Sequence, residues 1–273
     1  MLRRTPSRVA ALITGLVAVS APVAGTLPAH AAAPPGYGPQ WPYTEVLYGE
    51  PNFISLPDAS MITKTEHGYL YRSGQQDSDL VVTEVEGGLR FRDRGTKEWK
   101  QLAGGCERRK VADGIAAVCK VPEGIGAENH LLLEIWPRLG DDHVDTSSLS
   151  AVNDVAVLAD AGVDVVTTGP GNDFINGAQD DDTVAGGRGS DWIRTGIGAD
   201  RIWGGRGGDY LVGADQDDTI RGGAGDDKVY GGTGSDDLLG NRGEDLLSCS
   251  TGIDSALLDA ADRAVACEAV SFR

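Results

Sequence analysis

The chain has 273 residues, of which 41 are Asp or Glu and 24 are Lys or Arg, so its formal net charge is −17 at pH 7. This balance argues against a nucleic-acid-binding protein, because the sequence has no basic stripe that could neutralise phosphates. A bound multivalent cation is a more natural partner for so acidic a chain.

The N-terminus has the order of a secretory signal peptide. A basic start with three arginines precedes an apolar run over residues 9–19 and a stretch of small residues that ends at Ala33. We expect cleavage after Ala31 or Ala33, so that residues 1–33 are removed and the mature chain is secreted to the extracellular space. A membrane anchor is the alternative, but the apolar run is shorter than the roughly 20 residues that span a bilayer, and we expect no membrane span.

Four cysteines allow three disulfide pairings. Because an exported chain meets an oxidising environment, we expect two disulfides rather than free thiols. We favour Cys106–Cys119 and Cys249–Cys267, since each pair closes a short loop within one domain. Zinc binding is the alternative, and the absence of C-x-x-C spacing argues against it.

Two segments separate this N-terminus from the acidic half of the chain. Residues 34–65 are rich in proline and aromatic residues without a helical or strand period, which indicates an extended cover or linker. Residues 66–140 contain short β-prone runs, such as residues 131–136, separated by glycine-rich turns. We expect a small β-strand region there, which includes the Cys106–Cys119 disulfide.

From about residue 159 the chain is a strict nine-residue repeat. Glycines recur five, four and two positions before an aspartate, and an aliphatic residue follows the aspartate by two. Four units match G-G-x-G-x-D-x-U-x in full, the first of them at residues 186–194. The repeated aspartates are Asp164, Asp173, Asp182, Asp191, Asp200, Asp209, Asp218, Asp227, Asp236, Asp245 and Asp254.

The repeat predicts an all-β fold in the form of a parallel β-roll. The six Gly- and Asp-rich residues favour a turn, and the last three residues form a short strand with one side chain pointing inward. Two units make one coil of 18 residues, and successive coils stack about 4.8 Å apart. We expect the roll to cover residues 141–257, after the small β-strand region, and residues 258–273 to form a C-terminal cap held by Cys249–Cys267.

These nonapeptides resemble the RTX, or haemolysin-type, calcium-binding repeat family over roughly residues 140–257. The N-terminus and the local cysteine pairs also resemble small secreted members from actinobacteria. The resemblance implies a right-handed roll that binds several Ca²⁺ ions between stacked turns. We predict that the ligands are the eleven repeated aspartates and the glycines Gly187, Gly189, Gly205, Gly207, Gly223, Gly225, Gly232 and Gly234.

The physical chemistry of the coil favours the same ion. Aspartates stacked every 18 positions repel one another, and one aliphatic side chain in nine residues makes a thin core. Calcium accepts oxygen ligands in flexible geometry, whereas magnesium requires a tighter octahedron. We therefore expect a roll that is ordered with calcium and largely disordered without it. The alternatives are a disordered acidic linker and a solenoid that uses Asp only for turn bonds, and the inward aliphatic ladder argues against the linker.

The two edges of the roll differ in sequence. The turns that contain Asp191 and its stacked equivalents all keep the glycine two residues before the aspartate. On the other edge, the turns at residues 177–182 and 213–218 have lost two of their glycines. Our hypothesis is that the Asp191 edge binds calcium more tightly, because non-glycine residues adopt the required conformation at a cost.

One outer face carries Phe174, Trp192 and Tyr210 in register. This face is a possible docking surface for a glycan or protein ligand, or it is covered by residues 34–140, which is the interpretation we favour.

The sequence contains no H-E-x-x-H, G-x-S-x-G or P-loop motif, and we expect no enzyme activity. The predicted function is that of a secreted calcium-binding protein. One alternative is an extracellular adhesion or scaffold module that uses the aromatic face, with calcium purely structural. Another is a hydrolase within residues 34–140 that has no recognisable motif.

Overall fold

The computed structural model describes residues 59–74 and 76–272, and the regular secondary structure of these residues is entirely β-strand. The predicted signal peptide, residues 1–33, lies outside the described residues, as do residues 34–58 of the predicted extended segment. No helix within the described ranges could cross a membrane.

Ten strands precede the regular repeats. The first of them lies within the segment predicted as an extended linker, and it is a strand because residues 59–62 are buried against its neighbours. The ten strands are β1 (Ala59–Lys64), β2 (Gly68–Arg72), β3 (Asp79–Val85), β4 (Gly88–Asp93), β5 (Glu98–Gln101), β6 (Cys106–Arg109), β7 (Ile115–Cys119), β8 (Leu131–Trp136), β9 (Arg138–Leu139) and β10 (His143–Asp145).

The remaining strands form the roll and its C-terminal end. Most are six or seven residues long rather than the three expected from the repeat, because glycines after the aliphatic residue also pair between coils. They are β11 (Asn153–Ala161), β12 (Val165–Thr167), β13 (Phe174–Gln179), β14 (Thr183–Arg188), β15 (Trp192–Ile197), β16 (Arg201–Arg206), β17 (Tyr210–Asp215), β18 (Thr219–Ala224), β19 (Lys228–Gly234), β20 (Asp237–Arg242), β21 (Leu246–Gly252), β22 (Ser255–Leu258), β23 (Arg263–Val265) and β24 (Ala269–Phe272).

The strands form two twelve-stranded sheets. Sheet A has the order β23-β21-β19-β17-β15-β13-β11-β8-β2-β1-β5, with β9 also paired to β11, and sheet B has the order β24-β22-β20-β18-β16-β14-β12-β10-β3-β4-β7-β6. Within the roll, successive strands alternate between the sheets, and parallel partners are 18 residues apart, as in Ile175↔Ile193↔Leu211. The predicted parallel β-roll is confirmed.

The core is a continuous apolar column between the two sheets. Ile193, Ile202 and Leu211, like the equivalent residues of the neighbouring coils, are 0% exposed. The same cluster of buried side chains extends from Ile62 in β1 to Leu258 in β22. The predicted boundaries at residues 140 and 257 therefore mark changes in the sequence repeat rather than breaks in the core.

The N-terminal strands join the roll through parallel pairing. β8 pairs with β11 in sheet A, and β3 pairs with β10 in sheet B. Beyond these contacts β3, β4, β7 and β6 form an antiparallel series. The buried Asp93 carboxylate accepts hydrogen bonds from the hydroxyls of Tyr71, Thr96 and Ser60, which ties β1 and β2 to the end of β4.

Both predicted disulfides are present. Cys106–Cys119 joins β6 to β7, and Cys249–Cys267 joins β21 to the segment between β23 and β24. No free cysteine remains in the described part of the chain.

Candidate metal centre: two buried aspartate ladders

The repeated aspartates form two columns, one at each edge of the roll where the chain crosses between sheets. Each of the eleven side chains is at most 2% exposed. The Asp191 ladder consists of Asp173, Asp191, Asp209, Asp227 and Asp245, and the Asp200 ladder consists of Asp164, Asp182, Asp200, Asp218, Asp236 and Asp254.

One oxygen of each carboxylate binds the backbone of the neighbouring coil. The Oδ1 of Asp191 accepts a hydrogen bond from the amide of Asp173 at 2.8 Å, and the Oδ1 of Asp200 accepts one from the amide of Asp182 at 2.7 Å. Along both ladders these aspartate-to-aspartate distances are 2.7–3.0 Å. The first oxygen therefore joins each coil to the next.

The second oxygen has no such partner. In all eleven repeated aspartates, Oδ2 is buried and accepts no hydrogen bond from any described residue. It points back over the glycine five positions earlier, so that a Cβ at Gly186 or Gly204 would overlap the Oδ2 of Asp191 or Asp209. A buried carboxylate oxygen without a donor is strongly disfavoured unless a cation lies beside it.

The raised pKa values of the ladder aspartates also indicate that a cation is needed at these edges. Burial, followed by repulsion from Asp173 and Asp209, raises the pKa of Asp191 to about 9. Burial likewise raises the pKa of Asp182 and Asp218 to about 8. The charged form is therefore costly without a counterion, and a divalent cation would offset both the burial and the repulsion.

The glycines of the complete units lie in the turns at the same edges. Gly187, Gly189, Gly205, Gly207, Gly223, Gly225, Gly232 and Gly234 all have φ between +103° and +145°, a region that side chains rarely adopt. A Cβ added at Gly207 would overlap the carbonyl oxygen of Gly189 in the coil before it. A side chain at these positions is therefore strained and crowds the carbonyl of the coil before it.

The carboxylates are arranged one to a turn and are not gathered into a cluster. No group of three or more His, Cys, Asp or Glu side chains able to hold a metal ion occurs within residues 59–74 and 76–272. Backbone carbonyls would therefore have to complete the coordination of an ion at these edges. Calcium accepts such mixed oxygen sets, and the donors present fit it.

The two ladders differ in backbone strain. On the Asp200 edge, Ala178, Asp180, Ala214 and Gln216 have φ between +72° and +106° in the turns that have lost two of their glycines. Among the turns from residue 168 to residue 245 on the Asp191 edge, the only non-glycine residue with positive φ is Asn241. The turns with fewer glycines thus keep the repeat conformation, and each non-glycine residue at positive φ costs about 1 kcal/mol.

Asp142 is a ladder residue that the sequence analysis did not include among the ligands. Its amide donates to the Oδ1 of Asp164 at 2.8 Å, its Oδ2 is buried without a partner, and burial raises its pKa to about 8. The spacing of 22 residues to Asp164, rather than 18, concealed it. The Gly140-x-Asp142-x-Val144 fragment was the available signal.

Side chains of residues that immediately precede a ladder aspartate in the sequence form a second row of hydrogen bonds between coils. The Oδ1 of Asn172 accepts from the amide of Ser190, and the Oδ1 of Asp181 accepts from the amide of Ala199, both at 2.8 Å. Asp217 and Asp226 make the equivalent bonds to residues 18 positions later. These bonds run in the opposite direction to those of the ladders, so adjacent coils are joined in both directions.

The aromatic residues of the outer face of sheet A stack on one another. The rings of Phe174 and Trp192 are 4.7 Å apart with an interplanar angle of 4°, and those of Trp192 and Tyr210 are 6.1 Å apart at 1°. Phe174 is only 5% exposed and packs with Leu132 and Ala156. Phe174, Trp192 and Tyr210 form what we call the aromatic ladder. The faces of these rings contact one another, which leaves mainly the ring edges for a ligand.

The stacked Gly/Asp turns and the paired sheets define a parallel β-roll of the calcium-binding class. The family model for the RTX calcium-binding nonapeptide repeat matches four times, at residues 158–193, 177–211, 186–220 and 212–247. These residues are RTX repeats, which bind several Ca²⁺ ions within the roll. Comparison with curated proteins and with solved structures gave no match.

Proposed function

We propose that this is a secreted protein whose roll requires bound calcium ions in order to fold near neutral pH. The observation that carries the proposal is the column of buried Oδ2 atoms without hydrogen-bond donors. Eleven such oxygens in two columns would make the calcium-free roll electrostatically unfavourable.

We assign the metal ligands to the aspartates of both ladders and to the turn backbone. The Oδ2 atoms would supply the negative charge, and the stacked turns that contain Gly187, Gly205 and Gly223, with their equivalents Gly189, Gly207, Gly225, Gly232 and Gly234, would supply carbonyl oxygens. Asp142 extends the Asp200 ladder by one position. An ion between adjacent turns replaces repulsion between carboxylates with attraction, and at tenfold excess over its dissociation constant each site adds about 1.4 kcal/mol.

Secretion is supported by two independent features. Both cysteine pairs are joined as disulfides, which persist in oxidising compartments. The basic, apolar and small-residue order of residues 1–33 is that of an export signal. Extracellular fluids also supply the calcium that such a roll needs in order to fold after export.

We further propose that the Asp191 edge binds calcium more tightly than the Asp200 edge. The turns on the Asp200 edge bind calcium less tightly, because the strain of Ala178, Ala214 and Gln216 at positive φ reduces the net free energy of binding. Unequal occupancy of the edges at limiting calcium would be visible in a crystal. Equal occupancy would contradict this proposal.

RTX repeats are typically structural or binding elements rather than catalytic ones, and we propose a non-enzymatic role for the chain. The alternative function as an adhesion module requires an aromatic face that is open to a ligand. The mutual stacking of Phe174, Trp192 and Tyr210 does not favour that face as a sugar-binding platform.

The test is circular dichroism and size-exclusion chromatography of the chain without residues 1–33, before and after exhaustive chelation. We expect loss of β-structure and expansion on chelation, with recovery on adding calcium but not equal magnesium. Calorimetric titration would give the number of sites. A fully ordered chain with no metal detectable by elemental analysis would contradict the proposal.

A further inference from the structure

The outer face of sheet B carries a basic patch that the ladders do not use. Arg201, Trp203 and Arg206 lie on β16, with Arg188 on β14 and Arg221 on β18 beside them. The four arginines are exposed and Trp203 is half-buried. We name these five residues the β16 patch.

The stacking of coils creates this patch. Arg188 is the register partner of Arg206, and Trp203 is the register partner of Arg221. Partners on adjacent strands lie about 4.8 Å apart, so side chains 18 residues apart in sequence become neighbours. Along the sequence the same arginines are separated by segments that contain aspartates, so no basic stripe is evident there.

The guanidinium groups of the patch have no acidic partner in the part of the chain that the structure describes. Elsewhere in the described residues arginines do form ion pairs, such as Arg94–Asp79 and Arg109–Glu107 in the region of the N-terminal strands. No carboxylate of residues 59–74 and 76–272 lies within 4.0 Å of an arginine of the patch, although the chain has a net charge of −17. Four arginines on three neighbouring strands, two of them register partners, repel one another, and an anionic ligand would relieve that repulsion.

Trp203 differs from the aromatic ladder on sheet A. Its register partners are Ala185 and Arg221, and within the described ranges it stacks on no other aromatic ring. The small Ala185 leaves one side of the indole uncrowded. A flat apolar ring between guanidinium groups suits a sugar ring whose substituents carry negative charge.

We propose that the β16 patch binds a single chain of an anionic polysaccharide, with carboxylate or sulfate groups on the arginines and one sugar ring against Trp203. The patch extends across β14, β16 and β18, and the repeat between strands suits a polymer of successive charged sugars. Exposed Asp181 and Asp217 border it where β14 and β18 begin. These acids would repel a wide nucleic-acid duplex and leave room for one narrow chain.

The experiment is calorimetric titration of the calcium-loaded chain with short heparin oligosaccharides and, separately, with short oligogalacturonate. Short oligomers avoid gelling with calcium, and the two arms distinguish sulfate from carboxylate. Binding in either arm supports the proposal if Arg201→Gln/Arg206→Gln weakens it about tenfold or more and Trp203→Ala also weakens it. The matched control is Arg194→Gln/Arg263→Gln, which removes the same charge from sheet A and should bind like the wild type.

Circular dichroism in calcium must show the same β-structure for all variants, and Arg188→Gln/Arg221→Gln provides a second pair if the first does not fold. Three results would overturn the proposal. They are no binding in both arms at millimolar oligosaccharide, equal loss in the sheet A control, and equal affinity for uncharged dextran oligomers. Equally tight binding of duplex DNA through the same arginines would overturn the assignment to a polysaccharide.

Discussion

The two carboxylate oxygens of each repeated aspartate have different roles. At Asp209, Oδ1 accepts the amide of Asp191 at 2.9 Å, while Oδ2 is buried with no donor. The first oxygen would be equally satisfied if it belonged to an asparagine. The requirement for aspartate at this position therefore comes from the second oxygen and the charge that it brings to a cation.

This division predicts the effect of Asp209→Asn. The substitution keeps the shape and the Oδ1 bond but removes the charge, so we expect at least one calcium ion fewer and a free energy of unfolding lower by about 2 kcal/mol in calcium. Calorimetry and denaturant unfolding measure the two effects. Asp181→Asn is the control, because Asn172 already makes the same backbone bond in its own coil. Unchanged stoichiometry in Asp209→Asn would contradict the ligand assignment.

Backbone conformation is the second feature decided at single residues. Ala214 has a φ of +106°, while its register partners Gly196 and Gly232 are glycines. Ala214→Gly should stabilise the calcium-loaded roll by about 1 kcal/mol, since it removes the strain of a side chain at positive φ.

Thermal unfolding in calcium checks this prediction for Ala214. Ala224→Gly is the matched control on the Asp191 edge, where the alanine does not have positive φ, and it should be neutral or destabilising by up to about 1 kcal/mol. If both variants behave alike, strain does not distinguish the two edges.

The short strands of the roll are stabilised mainly by contacts with the strands of the adjacent coils. Each strand contributes one fully buried aliphatic side chain, such as Ile193 or Leu211, to a column shared with its neighbours. The aromatic ladder adds a second column on the outer face of sheet A. No strand of the roll has enough apolar surface to be stable alone.

The aromatic ladder predicts a structural effect for Trp192→Ala. The change removes two stacked ring contacts, with Phe174 and Tyr210, and should lower the free energy of unfolding by about 1–3 kcal/mol. Calcium stoichiometry should stay the same. Thr183→Ala, at the equivalent outer position of sheet B, is the control and should cost well under about 1 kcal/mol. A Trp192→Ala protein of wild-type stability would show that the stacking contributes nothing.

The charge of the whole molecule makes its stability depend on pH in opposite directions with and without calcium. Burial raises the pKa of Asp182, Asp218 and Asp227 to about 8 and that of Asp191 to about 9 in the metal-free fold. An unfolded chain has ordinary aspartates with a pKa near 3.9. The folded form thus binds more protons between these pKa values, so its stability is fully present below about pH 4 and is lost as the pH rises from about 4 to about 9.

We therefore expect the chelated chain to gain β-structure when the pH falls from 8.5 to 5.5. The calcium-loaded chain should do the reverse, because protons compete with calcium for the carboxylates, and the midpoint of a calcium titration should move to higher calcium. Far-UV circular dichroism over this pH range tests both statements. A chelated chain that loses structure on acidification would contradict the assigned direction of the pKa shifts.

Much of the candidate site was predictable because a strict period is a strong signal. The spacing of nine placed Asp191 and Asp209 in one column, and the apolar residue two positions later placed Ile193 in the core. The prediction failed to include Asp142, where a longer connection breaks the period, although the backbone returns to the same register. The pattern also did not reveal that β1 begins within the presumed linker.

The sequence by itself determined the coil, the inward ladders, the two edges and both disulfides, because each depends on local spacing that the chain carries explicitly. Only the tertiary structure decided which surfaces those coils create. The stacking of residues 18 apart turns ring faces toward one another on sheet A and brings scattered arginines together on sheet B. Such neighbours arise from contacts between coils, and no short stretch of the chain contains them.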